Sequence, residues 1–80
     1  MKRLRVQYFA ILREQRGLDE EALLTGAATA GQLYDELRAL HGFSLPRDRL
    51  RAAVNDEFAP WTAALSDGDK LVFLPPVAGG

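Results

Sequence analysis

The chain has no cysteine, which removes disulfides, thiolate metal ligands and cysteine nucleophiles together. Its single histidine, His41, is too few for a histidine-cluster metal site and a poor start for a Ser-His-Asp arrangement. Charge of neither sign dominates: ten Lys plus Arg stand against eleven Asp plus Glu, for a net charge of -1. That balance, with no block of like charge, argues against a nucleic-acid partner and against a polybasic membrane anchor. No apolar run approaches the length of a membrane span, and no charged-then-apolar leader opens the chain, so a cytoplasmic protein with no membrane partner is expected. What remains is 80 residues of 48% hydrophobic and 26% charged composition, enough for one small soluble domain with a modest core. A core of this size benefits from a partner protein or from good local capping.

Arg3 to Phe9 alternates polar and apolar with period two, which predicts a strand with Leu4, Val6 and Tyr8 turned inward. The same parity turns Phe9 outward beside Arg5 and Gln7, either as a partner contact or as a residue folding over the edge of the core. Ala10 to Arg16 has good helix formers and stops at Gly17; Asp19 to Thr25 then reads as a second strand, antiparallel to the first. Thr29 and Gln32 form a T-x-x-Q capping pair, and Ala30, Leu33, Leu37 and Leu40 follow at helical spacing. Arg38 and His41 in the last turn and Gly42 as the stop complete this main helix, which gives His41 a structural explanation.

Phe43 to Arg49 reads as a loop around Pro46, and Leu50 to Asn55 as a strand with Ala52 and Val54 inward. Asn55-Asp56 supplies a turn into the short strand at Glu57-Phe58. Arg47, Arg49 and Arg51 recur at alternate positions, which is the pattern of a solvated face. Trp61 reads as a plug in the core. Ser66-Asp67-Gly68-Asp69 is a turn and not a calcium loop, because the other ligand positions of an EF-hand are missing; no metal site is expected. Lys70 to Leu74 is the most apolar strand, with Leu71 and Phe73 on one face and Val72 and Leu74 on the other.

This order of elements predicts an α+β fold with one main helix packed on one face of a mixed sheet. Phe9, Phe58, Val72 and Leu74 then share the open face as an apolar, partner-binding patch. Beyond it runs Pro75-Pro76-Val77-Ala78-Gly79-Gly80. Two prolines favour an extended exit that cannot join a central sheet position, and six extended residues reach roughly 20 Å. Two glycines without Cβ can pass a constriction. By itself this tail has two readings, a working group and a frayed end.

The residues also resemble a known family. Phe9-Ala10, Arg13-Glu14, Ala53-Val54-Asn55, Asp67-Gly68-Asp69 and above all the Pro-Pro-Val-x-Gly-Gly ending are similar to the MoaD family, the small sulfur-carrying subunits of molybdopterin synthase. The resemblance spans nearly the whole chain. It implies a ubiquitin-like β-grasp over residues 1–74 and an extended Gly-Gly tail over 75–80. It implies further that Gly80 is adenylated by an activating enzyme, converted to a thiocarboxylate by a sulfur donor, and received by the large synthase subunit in a heterotetramer. There its sulfur goes to cyclic pyranopterin monophosphate. No cofactor is bound on this reading beyond the thiocarboxylate and transient acyl-adenylate at Gly80, and the chain is a carrier, not itself a catalyst. Lys70 and Leu74 depart from the family pattern, where an acidic and an aromatic residue are common. Rival readings are a sulfur carrier for another pathway, disfavoured by the Pro-Pro-Val ending, a ubiquitin-like protein modifier, and a plain binding module.

Overall fold

The computed structural model describes residues 1–75, so the expectations placed on Pro76, Val77, Ala78, Gly79 and Gly80 lie outside the described residues. Period-two alternation builds strand β1 (Lys2–Tyr8), and Leu4, Val6 and Tyr8 are all buried as that period requires. Phe9 leaves the strand and caps helix α1 (Ala10–Arg16), which ends at Gly17 in the left-handed conformation, φ 81°. Strand β2 (Glu20–Thr25) returns antiparallel to β1, with Lys2 opposite Thr25 and Gln7 opposite Glu20.

Helix α2 (Ala30–His41) starts where the capping pair predicts. Thr29 Oγ1 accepts from the Gln32 amide at 3.2 Å, while Gln32 Oε1 accepts from the Ala28 amide at 2.8 Å, one residue before the cap. The next amides donate to loop carbonyls, Ala30 to Ala63 O at 3.1 Å and Gly31 to Trp61 O at 2.8 Å, so the first turn is satisfied by tertiary contacts. The approach is close at Gly31: a Cβ there would displace the Arg47 guanidinium and lie 3.1 Å from Trp61 O.

The buried stripe of α2 differs from the expected one in its last turn. Ala30, Leu33 and Leu37 are buried, but Leu40 is 71% exposed, and Tyr34 is fully buried in the middle of the stripe. Phe43 explains the difference. After Gly42 turns the chain at φ 69°, Phe43 folds back into the core against Tyr34, and Leu40 is left on the margin of the stripe. The segment expected as a loop therefore contributes a core aromatic, and its Arg47–Arg49 portion forms a 3-10 turn.

Strands β3 (Arg51–Val54), β4 (Glu57–Ala59) and β5 (Lys70–Leu74) complete a five-stranded mixed sheet in the order β2-β1-β5-β3-β4. β1 and β5 are parallel and the other neighbours antiparallel. Helix α2 covers the face carrying Leu4, Val6, Ala52, Leu71 and Phe73, and Val54 packs against the same cluster. Tyr34 centres this layer, with Phe73 edge-on at 5.2 Å, Phe43 stacked at 6.0 Å and Trp61 at 5.8 Å between ring centroids. Its hydroxyl donates to Leu45 O, and burial pushes that hydroxyl above its ordinary pKa.

Two polar latches hold the sheet. In the first, Arg16 donates to both oxygens of Glu21 at 2.9 Å, and the Tyr8 hydroxyl donates to Glu21 Oε2 at 2.7 Å, tying α1, β1 and β2. Hydrogen bonding from Arg16 holds the Glu21 carboxyl below its usual range, with Tyr8 and the Arg16 charge adding to it. Burial, then the hydrogen bond to Glu21, pushes the Tyr8 hydroxyl upward. In the second latch, Asn55 and Asp56 form the turn at φ 52° and 72°, the pair of positive angles that a two-residue hairpin favours. Asn55 Nδ2 donates to Asp69 Oδ1 at 2.9 Å, and the Lys70 amide donates to Asn55 Oδ1 at 3.0 Å. Asp69 Oδ2 also accepts from the Ser66 amide at 2.8 Å, so one side-chain pair joins the β3–β4 turn to the turn before β5.

Asn55→Ala removes both side-chain bonds and puts at positive φ a residue that tolerates it less well than asparagine, which costs about 2 kcal/mol and lowers Tm by roughly 8–16 °C. Asn55→Gly relieves the backbone part and loses less; thermal unfolding followed by circular dichroism ranks the two. Glu21→Gln keeps the side chain's shape and deletes its charge. Because the folded carboxyl is held below its ordinary 4.5, its stabilisation is complete above that pH and is lost as pH falls through the lowered value. The variant therefore melts about 4–8 °C lower near neutrality, for about 1 kcal/mol, and the deficit shrinks below about pH 4. A deficit independent of pH would show that the ion pair contributes nothing.

Candidate functional site

The face of the sheet away from α2 is built by the outward positions of the same strands. Register places Gln7 beside Val72, Val72 beside Ala53 and Ala53 beside Phe58, a row running across β1, β5, β3 and β4. Further toward the end of β5, Arg51 stands opposite Leu74. Phe9, just past β1, joins them, and Phe9, Ala53, Phe58, Val72 and Leu74 line a groove of about 290 Å³ whose wall is mostly apolar.

The four residues expected to form a partner patch, Phe9, Phe58, Val72 and Leu74, are thus brought together. Their exposure differs. Phe58 is 60% exposed and Phe9 38%, Leu74 is half-buried, and Val72 is only 7% exposed and forms the floor. Central β5 has neighbours on both sides, so even its outward residue is largely covered. A second depression adjoins the first, sharing Phe58 and Leu74 and bounded by Arg49, Arg51 and Pro75. Pro75 follows Leu74 directly, so the chain leaves the sheet beside the apolar groove.

Charge enters this face at two places. Lys70 Nζ lies 3.4 Å from Asp56 Oδ1 at the polar end of the groove. In the adjoining depression the Arg51 guanidinium sits 3.9 Å from the centroid of the Phe58 ring. Arg51 was not legible as a site residue, since its spacing with Arg47 and Arg49 suggests one solvated stripe. In the fold Arg47 and Arg51 diverge: Arg47 pairs with Asp35 of α2 at 3.3 Å and lies over Trp61, whereas Arg51 belongs to the open face. Parity alone turns Arg51 outward, but its position beside Leu74 and Phe58 depends on cross-strand register, which no local signal carries.

The groove is mostly apolar, and none of the groups with displaced pKa values lines it. The groups with displaced pKa values, Tyr8, Arg16, Glu21 and Tyr34, belong to the Glu21 latch and the aromatic layer, a structural use of such shifts. His41 packs on Phe43, 5.7 Å between ring centroids, in the last turn of α2 on the opposite side of the sheet. Among the described residues no group of three or more metal-ligating side chains comes together. No helix of the described residues is long and apolar enough to cross a membrane.

Comparison with known proteins agrees with this geometry. The chain is 36% identical over 81 residues to the molybdopterin synthase sulfur carrier subunit of Haemophilus influenzae, covering 96% of this chain and 99% of that protein. It is 34% identical over 87 residues to the subunit of the same name from Mycobacterium tuberculosis, with both chains covered in full. Among solved structures, a Pyrococcus furiosus protein described as a candidate molybdopterin converting factor subunit 1 superimposes with a TM-score of 0.78 at 30% identity, covering 96% of this chain and 100% of that one. Small archaeal modifier protein 1 of Haloferax volcanii gives 0.78 at 27% identity over 96% of this chain and 100% of its own. A complex of subunits 1 and 2 of the molybdopterin-converting factor of Helicobacter pylori gives 0.68 at 25% identity, covering 98% of this chain and 99% of the matched one. The fold is the ubiquitin-like β-grasp expected from the resemblance. With residues 6–80 matching the family's sequence profile and relatives above 30% identity along nearly the whole chain, the protein belongs to the ThiS family.

Proposed function

We infer that this chain is the sulfur carrier subunit of a molybdopterin synthase, working in the cytoplasm, with Gly80 as its reactive group. The observation that carries the reading is the placement of β5, whose end meets the apolar groove as the chain departs through Pro75. A protein seated on Phe9, Phe58 and Leu74 is in position to receive the residues beyond Pro75. The H. pylori complex of subunits 1 and 2 supports a large subunit as that protein, and the heterotetramer implied by the family resemblance is part of this proposal.

The chemistry proposed for Gly80 follows from the properties of a carboxylate. Its carbonyl is a poor electrophile, and an activating enzyme makes it reactive by joining it to the adenylyl group of ATP with loss of pyrophosphate. A sulfide-level donor then displaces AMP and leaves a thiocarboxylate. Glycine suits both steps, because no side chain obstructs the approach of nucleotide or sulfur to the carbonyl. The anionic sulfur is the competent nucleophile: it bonds to a carbon of cyclic pyranopterin monophosphate as an oxygen substituent leaves that carbon, and water then cleaves the resulting thioester, leaving the sulfur on the pterin and returning the Gly80 carboxylate. On this reading the catalytic groups belong to the partners, and the chain without cysteine has no other place to carry sulfur.

A protein-modifier role is favoured by the likeness to small archaeal modifier protein 1 of Haloferax volcanii, with TM-scores of 0.76 and 0.78 in two structures. Intact-mass analysis of the protein from its native host separates the two roles. Exchange of one oxygen for sulfur at Gly80 supports the carrier, and a branched conjugate to lysine supports the modifier.

Deleting Gly80, or adding one residue after it, abolishes sulfur transfer and leaves the melting temperature unchanged; an extended, unprocessed chain with full activity would refute the role of Gly80. Leu74→Asp or Phe9→Asp weakens binding to the large subunit by about tenfold or more in titration calorimetry, since each places a charge against a surface that must dry on contact. Unchanged affinity in both variants would show that the partner binds elsewhere.

A further inference from the structure

The placement of Arg51 within the apolar face says something about the surface that covers it. Arg51 lies on β3, between Leu74 of β5, its register partner, and Phe58 of β4, over whose ring its guanidinium rests at 3.9 Å. The two apolar residues that line both depressions therefore stand on opposite sides of a positive charge. A partner cannot bury Leu74 and Phe58 together without passing over Arg51 and removing its water.

Removing water from a guanidinium is unfavourable unless an acceptor of opposite charge replaces it. Asp48 lines the second depression together with Arg51 but makes no ion pair with it. Asp56, at the far end of the groove, is engaged by Lys70 at 3.4 Å, and among the described residues no carboxylate lies within ion-pair distance of Arg51. The Arg51 guanidinium lies 3.9 Å from the centroid of the Phe58 ring, and a planar guanidinium held over a ring can engage a carboxylate through two N–H donors.

We propose that the surface which docks on this face presents a carboxylate side chain to Arg51, within an otherwise apolar contact, and that Arg51 is a specificity determinant of this carrier. The proposal rests on the docking reading under Proposed function and adds the chemistry of the partner's surface. A carboxylate at that point pairs with Arg51 and excludes carriers lacking a cation there, while a partner surface without one leaves a buried charge unpaired and binds poorly.

The test uses the full-length chain and the molybdopterin synthase large subunit of the same host, with dissociation constants measured by titration calorimetry at low and high salt. Arg51→Met keeps an apolar cover over Phe58 and deletes the charge; Arg51→Glu reverses it; Phe58→Asp serves as the reference for the dock itself. Arg51→Met is expected to weaken binding about tenfold and to flatten its salt dependence, and Arg51→Glu to weaken it considerably more. Substituting the facing carboxylate in the partner should remove most of the penalty of Arg51→Glu. If Phe58→Asp weakens binding while both Arg51 variants stay within about twofold of the parent, the carboxylate proposal is wrong and the dock stands. If Phe58→Asp is also without effect, the docking reading fails and the proposal with it. Circular dichroism melts confirm that every variant is folded.

Discussion

Parallel pairing of β1 with β5 is the constraint on which the rest of the molecule depends. It brings the start of the chain beside its last strand, Val6 next to Leu71 and Tyr8 next to Phe73, and makes β5 a central strand with β3 on its other side. A central strand has neighbours on both edges, and in β5 this leaves Leu71 and Phe73 fully buried under α2 and Val72 only 7% exposed on the open side, in keeping with the most apolar strand of the sequence. The same pairing puts Phe9, just beyond β1, next to Leu74 at the end of β5. A strand that ended at the sheet's edge would release the following residues away from the groove; β5 releases Pro75 beside it.

The two faces of the sheet divide the work. On one, Tyr34 gathers Phe43, Phe73 and Trp61 into a packed aromatic layer under α2, with its hydroxyl satisfied by Leu45 O. On the other, Phe58 stays 60% exposed, and the Arg51 guanidinium lies over its ring. An 80-residue domain has little apolar surface to spare for a face left open, and keeping one open is consistent with a chain that functions in a complex. The latches through Glu21 and Asn55 fit the same pattern: they hold short strands and turns in register by directed hydrogen bonds where the core is thin.

This arrangement suits a carrier better than a catalyst. The polar network around Glu21 is consumed in holding elements together, and His41 is consumed in packing on Phe43. What the open face offers is shape, apolar area and one charge, the ingredients of recognition. Chemistry proposed at Gly80 needs a nucleotide, a sulfur source and a pterin, and under that proposal partner proteins supply them.

Much of this was legible locally. Alternation from Arg3 to Tyr8, the Thr29 and Gln32 cap, the stops at Gly17 and Gly42, and the Asn55-Asp56 and Asp67-Gly68 turns are set by steric and hydrogen-bonding preferences of a few neighbouring residues, so the sequence by itself determined the main elements, their order and most of their inward faces. The residues of the resemblance likewise pointed to the family before any contact was known. Which elements become neighbours was decided only in three dimensions. Periodicity tells Val72 and Arg51 which way to point but not what stands beside them, and it ranks Leu40 with Leu37 because it knows nothing of Phe43 folding back from Gly42. Asn55 and Asp69 are separate turn residues in sequence and one hydrogen-bonded pair in the fold. Strand register and long-range closure are properties of the whole chain, and they turned evenly spaced arginines into a helix-side ion pair at Arg47 and a charge set within the open face at Arg51.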